Sequence, residues 1–160
     1  MSGERVFVGL GANLGDPPAT LEQALRDIAA LDGTRVVARS SWYRSAPVDA
    51  PGPPFINAVA ELDTALPPLA LLRALQGIER AHGRSRPYRH APRTLDLDLL
   101  LYGQRVMNDA ELALPHPRLH ERAFALLPLL ELAPQLQHPL HGALAPFRRQ
   151  VADQALERLP

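Results

Sequence analysis

Thr94-Leu-Asp-Leu-Asp-Leu-Leu-Leu-Tyr102 is the stretch on which the fold turns. Alternation sets Leu95, Leu97, Leu99 and Leu101 toward a core and leaves Asp96 and Asp98 together on the opposite face, about 7 Å apart along a strand. Working backward, Pro67-Pro68 opens a helix that carries Leu69, Leu72, Leu75 and Ile78 inward until Gly83 stops it. Before it, Phe55 to Asp63 alternates, with Ile56, Ala58, Ala60 and Leu62 on one face and Phe55, Asn57 and Val59 on the other. Arg35 to Tyr43 reads as a further strand, and the proline-rich Ser45 to Pro54 as a stiff, exposed loop. At the front, Val6, Val8 and Leu10 share one face of a short strand, with Phe7 opposite. That strand is expected to close in the turn Gly9-Leu-Gly-Ala-Asn-Leu-Gly15. Asp16 caps the next helix, Pro17 and Pro18 fit its first turn, and Leu21, Ala24, Leu25, Ile28 and Leu31 recur until Asp32-Gly33. The order strand, helix, strand, strand, helix, strand is a split βαβ unit. It predicts an α+β, ferredoxin-like α/β sandwich with a βαββαβ core, a mainly antiparallel sheet and helices on one side. Beyond Gly103, Leu119 to Leu132 is expected to be helical with a break at Pro128, and Leu144 to Leu159 to be a terminal helix. These C-terminal helical additions complete a single domain, 1–160.

Composition narrows the chemistry. With 46% hydrophobic and 21% charged residues over 160, the chain is an ordinary globular protein. Seventeen basic and seventeen acidic residues cancel, so no global field gathers nucleic acid or anionic membrane. Cysteine is absent and every basic residue is arginine. Disulfides, thiolate metal sites, a cysteine nucleophile, a Walker lysine and a Schiff-base lysine are thereby excluded. The first residues lack the features of a signal peptide, and the longest apolar run, Ala123 to Leu130, is too short to span a bilayer. A cytoplasmic monomer with no membrane or nucleic-acid partner is expected.

Two carboxylates on one strand face repel each other unless a divalent cation sits between them, and an all-oxygen donor set suits magnesium better than zinc. An isolated Asp-x-Asp is equally the solvated face of an edge strand. The preceding run, Arg84-Ser-Arg-Pro-Tyr-Arg-His-Ala-Pro-Arg93, holds four arginines and no acid. Like charges so close are costly without an anion. Guanidinium groups adjoining a carboxylate pair suit a metal-complexed polyphosphate, with a nucleotide as the obvious candidate.

The run from Gly83 through Pro92-Arg-Thr-Leu-Asp-Leu-Asp98, with Leu114-Pro-His-Pro-Arg-Leu-His-Glu-Arg-Ala-Phe124, resembles the 6-hydroxymethyl-7,8-dihydropterin pyrophosphokinase family of folate biosynthesis. Gly9 to Gly15, Ser41 to Ser45 and Phe55-Ile-Asn57 correspond as well, so the resemblance spans about residues 6 to 134. It implies transfer of the pyrophosphoryl group of ATP to the pterin hydroxymethyl oxygen, releasing AMP. It further implies that Asp96 and Asp98 hold two Mg2+ ions, and that Arg84, Arg93 and Asp98 are the catalytic residues. Gln76, Glu79, Arg86, Arg89, Arg93, Leu99, His116 and Arg122 would contact ATP. Ser45, Ala46, Val48, Phe55, Asn57 and Phe124 would hold the pterin, with the ring stacked between the two phenylalanines. The arginine segment 84–92 would close over the nucleotide. The chain departs from the family pattern in His90-Ala91, where Trp-Gly is usual, and in Ser45, Phe55 and Pro117.

Rival readings are weaker. The glycines of residues 9–15 are one place out of register for a dinucleotide fingerprint. An RNA-binding ferredoxin-like module wants exposed aromatics and a basic face where this chain has two aspartates. A metal-dependent nucleotidyl transferase differs only in the signature. Pro117 argues against a helical metal pair of His116 and His120, leaving His120 as a surface or capping residue. His82, His138 and His141 carry no signal.

Overall fold

The computed structural model describes residues 3–46, 53–82 and 95–160. β1 (Glu4–Ala12) leads to α1 (Pro17–Ala29), β2 (Thr34–Arg39), β3 (Tyr43–Ser45), β4 (Phe55–Thr64), α2 (Pro68–Ala81) and β5 (Asp96–Tyr102). Short hairpins follow: β6 (Met107–Asn108) with β7 (Ala113–Leu114), and, after α3 (Ala123–Leu132), β8 (Gln137–His138) with β9 (Gly142–Ala143). β10 (Leu156–Arg158) ends the chain. The main sheet runs β10-β3-β4-β1-β5, with β2 also on β4, and every pairing is antiparallel. This is the expected ferredoxin-like order.

The first strand does not turn at Gly9. It runs to Ala12, because Gly9 and Gly11 complete the ladders to Val59 and Asn57 on one side and to Asp98 and Asp96 on the other. The strand expected over 35–43 is two strands lying end to end on the same edge of β4. Between them Ser40 donates its N–H to Val59 O (2.8 Å) and accepts from Val59 N–H through Oγ (2.9 Å). A side chain thus substitutes for a missing ladder bond at the break. α1 starts where the sequence places it, with Asp16 Oδ1 accepting from Ala19 N–H (3.2 Å), but it ends at Ala29, before the expected stop, and Gly33 at φ 63° turns the chain into β2.

Both faces of the sheet are covered, which corrects the expectation of helices on one side. Val6, Val8 and Leu10 pack with Leu21, Ile28, Leu71 and Leu75 of α1 and α2. Phe7, Val59 and Leu100 pack with Leu126, Leu129 and Leu130 of α3. In α2 it is Leu71 that is fully buried, whereas Leu69 and Leu72 are only partly covered. Pro128 does not break α3. The helix is apolar on nearly all sides, and its burial outweighs the roughly 3 kcal/mol cost of an interior proline. The terminal helix expected over 144–159 is also absent. A 3-10 segment (Ala145–Val151) and β10 replace it, β10 adding to the open edge of β3 with Glu157 paired to Arg44 at 2.7 Å.

β5 carries a bulge: Phe7 pairs with Leu101 and Val8 with Leu99, so Leu100 is an extra residue. The alternation therefore flips, and Leu101 joins Leu100 in the α3 core while Tyr102 points to the α1/α2 core. Asp96 and Asp98 lie before the bulge and keep the face that the alternation assigned them.

Candidate active site

The glycines explain where the aspartates can act. Gly11 is the cross-strand partner of Asp96 and Gly9 that of Asp98. On that face neither carboxylate has a neighbouring β1 side chain over it, which leaves room for a ligand. Gly11 has an ordinary negative φ, so space is what it provides: a Cβ there would lie 3.2 Å from Asn57 Oδ1 and 3.8 Å from Phe55 Cδ1. Asn57, buried at 5% exposure, donates from Nδ2 to Ser45 Oγ (2.7 Å), which fixes its amide with Oδ1 toward Gly11.

These residues line a cleft of about 690 Å³. Ser45, Ala46, Phe55 and Asn57 form one wall, Asp96 and Asp98 the floor, and Arg122 and Phe124 the opposite wall. Eight of the residues expected from the sequence thus meet in one place. The Arg122 guanidinium stands over the Phe124 ring at 5.5 Å. An aromatic pair facing carboxylates suits a flat, hydrogen-bonding ring carrying or approaching a metal-bound anion.

Other expected residues stand apart from the lining. Gln76 is exposed on α2. Leu99 is buried among core residues at 3% exposure. Glu79, also buried, accepts the N–H of Leu97 (2.8 Å), the residue between the two aspartates. It therefore caps an edge donor of β5 and holds the carboxylate-bearing segment to α2. His116 is tied to the bulge, its N–H donating to Leu100 O (2.9 Å), while its Nδ1 accepts from Arg118 N–H (3.1 Å). Burial first, then Arg122 and Arg118, push His116 below its ordinary value against the pull of Asp98. The neutral ring therefore carries its proton on Nε2. Val48, Arg84, Arg86, Arg89 and Arg93 lie outside the described residues, as does the expected closing segment.

The cleft also contains residues that the sequence did not announce. Gly9 and Gly11 read as a turn in the sequence, and Leu100 continues the face of Asp96 and Asp98 onto the floor. Arg118 and Glu121 form the rim, together with Gln154. Gln154 accepts from Ala123 N–H (2.8 Å) and donates to Glu121 O (2.8 Å), closing the open start of α3 from 31 residues away. A lone glutamine in a polar tail offers no signal for that role.

Residues 7–134 match the family described as 7,8-dihydro-6-hydroxymethylpterin-pyrophosphokinase (HPPK). The chain belongs to this family. Its relatives include the 2-amino-4-hydroxy-6-hydroxymethyldihydropteridine pyrophosphokinase of Pseudomonas aeruginosa, 45% identical over 158 residues and covering 98% of each chain. The protein of the same name from Haemophilus influenzae is 40% identical over 154 residues, 96% of each chain. Among solved structures, the Plasmodium falciparum HPPK-DHPS with pterin and p-hydroxybenzoate has the same fold, with a TM-score of 0.74 at 14% identity. That match covers 97% of this chain and 45% of the other, so this HPPK-family chain spans under half the length of that protein. Among the described residues, no helix is long and apolar enough to cross a membrane.

Proposed function

We propose that this chain transfers the pyrophosphoryl group of ATP to the hydroxymethyl oxygen of 6-hydroxymethyl-7,8-dihydropterin, in folate biosynthesis. The bond between the α-phosphate oxygen and the β-phosphorus breaks, a bond from the hydroxymethyl oxygen to the β-phosphorus forms as that hydroxyl gives up its proton to solvent, and AMP leaves with the electron pair of the broken bond. The observation that carries the reading is the carboxylate pair over two glycines, beside the Phe55, Asn57 and Phe124 pocket, in an HPPK-family chain.

Asp96 and Asp98 are the residues to hold Mg2+, two ions in this reading; their all-oxygen donor set and open face fit a hard cation. Bound there, magnesium would neutralise triphosphate charge as it develops. The pterin lies between Phe55 and Phe124, with Asn57 Oδ1 accepting from its edge and Ser45 holding that amide in place. Ala46 and Val48 are further pterin contacts in this reading. Arg122 approaches the phosphates, and the neutral His116 can donate from Nε2. Arg84, Arg86, Arg89 and Arg93 take the remaining phosphate oxygens, with Arg84 and Arg93 acting in transfer. Gln76, Glu79 and Leu99 border the nucleotide, Glu79 through its hold on β5. Residues 1–160 act as one domain, as a monomer in the cytoplasm, with no membrane or nucleic-acid partner.

The test is product analysis. With Mg2+ and ATP, AMP should appear only when the hydroxymethylpterin is present, in equal amount to pyrophosphorylated pterin. ADP as the product, or AMP formed equally well without pterin, would overturn the assignment.

A further inference from the structure

His120, His138 and His141 meet outside the cleft. One ring nitrogen from each lies within 4.8 Å of those of the other two. The His141 ring is at 4.4 Å from that of His120 and 4.6 Å from that of His138, centroid to centroid. Phe147 packs edge-on against His120 (5.1 Å) and His141 (5.6 Å), giving the group an apolar side. His138 is 96% buried, since only 4% of it is exposed. Burial first, then the two neighbouring imidazoles, push it down to about 4, so the ring is neutral at pH 7.

The tautomers can be read from the partners. His120 Nδ1 is buried and has no hydrogen-bond partner among the described residues. Its Nε2 faces the Glu121 carboxylate at 3.8 Å. At that distance the carboxylate makes no hydrogen bond, but its charge favours the ring proton on Nε2 and so a lone pair on Nδ1. A buried lone pair with nothing to accept is costly to maintain without a ligand.

From this placement we propose that His120, His138 and His141 form a second metal site, for a borderline divalent ion such as zinc, distinct from the carboxylate pair. Three neutral imidazoles suit zinc, cobalt, nickel or copper and disfavour magnesium, whereas two carboxylates do the reverse. Water completes a tetrahedron. Nitrogens sharing a tetrahedral zinc at 2.0–2.1 Å are about 3.3 Å apart, so the cluster must tighten by up to roughly 1.5 Å. The exposed His141, in the turn between β8 and β9, is placed to make that move.

One cost is explicit. His138 Nδ1 accepts from the N–H groups of Leu140 and His141 (3.1 Å each), so its own proton sits on Nε2. A metal on Nδ1 displaces both donors. A metal on Nε2 sends that proton to Nδ1, which then no longer accepts. Either way the ring stays neutral and both backbone bonds are given up, which also loosens the turn. The ion would fasten the β8–β9 hairpin to the 3-10 turn Leu119–Glu121, directly ahead of Arg122 and Phe124 of the cleft wall.

The test uses the full chain, stripped with chelator and kept in excess Mg2+ so that carboxylates are occupied. Zinc is titrated by calorimetry, cobalt by its visible absorption, and the histidine rings and amides are followed by NMR. One zinc per chain is expected, with tetrahedral cobalt absorption, shifts at all three rings and at the Leu140 amide, and a rise in melting temperature of about 5–10 °C at a hundredfold excess over Kd. His141→Ala, at an exposed position, should weaken zinc at least tenfold while leaving the metal-free melting temperature unchanged. Asp96→Asn should leave the zinc isotherm intact. The proposal fails if zinc does not bind, if His141→Ala binds as tightly as the parent, or if Asp96→Asn removes the ion.

Discussion

Glu131→Ala should destabilise this protein more than a half-exposed surface glutamate normally would. The carboxylate reaches from α3 to the break between β2 and β3. It accepts from Ser41 N–H (2.9 Å), Ser41 Oγ (3.1 Å) and Tyr43 OH (2.6 Å), with the Arg158 guanidinium at 3.6 Å. Its side chain is 21% exposed, and Tyr43 only 6%. Each hydrogen bond to a charged acceptor contributes about 1.5–3 kcal/mol, and stranding a buried donor adds to the loss. Water can reach part of the site, so a total of about 2–4 kcal/mol is expected. Tyr43→Phe removes one donor and leaves the rest, for about 1 kcal/mol. The double variant should lose about 1 kcal/mol less than the sum, because the two groups share one bond. Urea unfolding followed by circular dichroism measures this, provided the slope is unchanged among variants. Burial opposes ionisation of Glu131, but the bonds from Tyr43 and Ser41, with the charge of Arg158, hold its carboxyl below the ordinary 4.5. Its stabilisation is therefore present above pH 4.5 and lost as pH falls through the lower folded value, so parent and variant should converge in acid. Tyr43 is pushed up to about 12, by burial and then by Glu131, so its stabilisation is full below pH 10 and lost as pH rises through 12. A loss under about 0.5 kcal/mol for Glu131→Ala at pH 7, or a gap independent of pH, would refute the account.

Three further outcomes concern the cleft. Asp96→Asn or Asp98→Asn should reduce kcat at least a hundredfold at saturating Mg2+; a variant keeping a tenth of the activity would sink the metal assignment. Phe124→Ala should weaken pterin binding by about 1–3 kcal/mol through lost stacking area and leave ATP affinity alone, as calorimetry can show; equal losses would make Phe124 a core residue only. Gly11→Ala should raise the pterin KM tenfold or more with little change in ATP KM, because the new Cβ meets Asn57 Oδ1 at 3.2 Å and must push it from its place. An unchanged pterin KM would show that Asn57 does not read the ring.

Local chemistry was legible in the chain. The Asp-x-Asp alternation, the Asp16 cap, the turn at Gly33 and the order of strands and helices follow from periodicities of 2 and 3.6 and from turn stereochemistry, which depend on neighbours a few residues away. The shared face of Asp96 and Asp98 is such a fact, and so is the exclusion of thiol and lysine chemistry. Where the chain is paired, bulged or covered was decided elsewhere. Gly9 and Gly11 read as a turn in isolation and became strand because two ladders claimed their backbone groups. The bulge at Leu100 reversed the facing of Leu101, because register depends on the partner strand and not on the alternation itself. Pro128 kept its helix because a second sheet face needed covering, and Leu156–Arg158 became strand because β3 offered an edge. Gln154 at the start of α3, Glu131 at the strand break and His120 against His138 and His141 all act across 18 to 90 residues of chain. Contacts over such separations are selected by the burial and hydrogen bonding of the whole fold, and no local pattern encodes them.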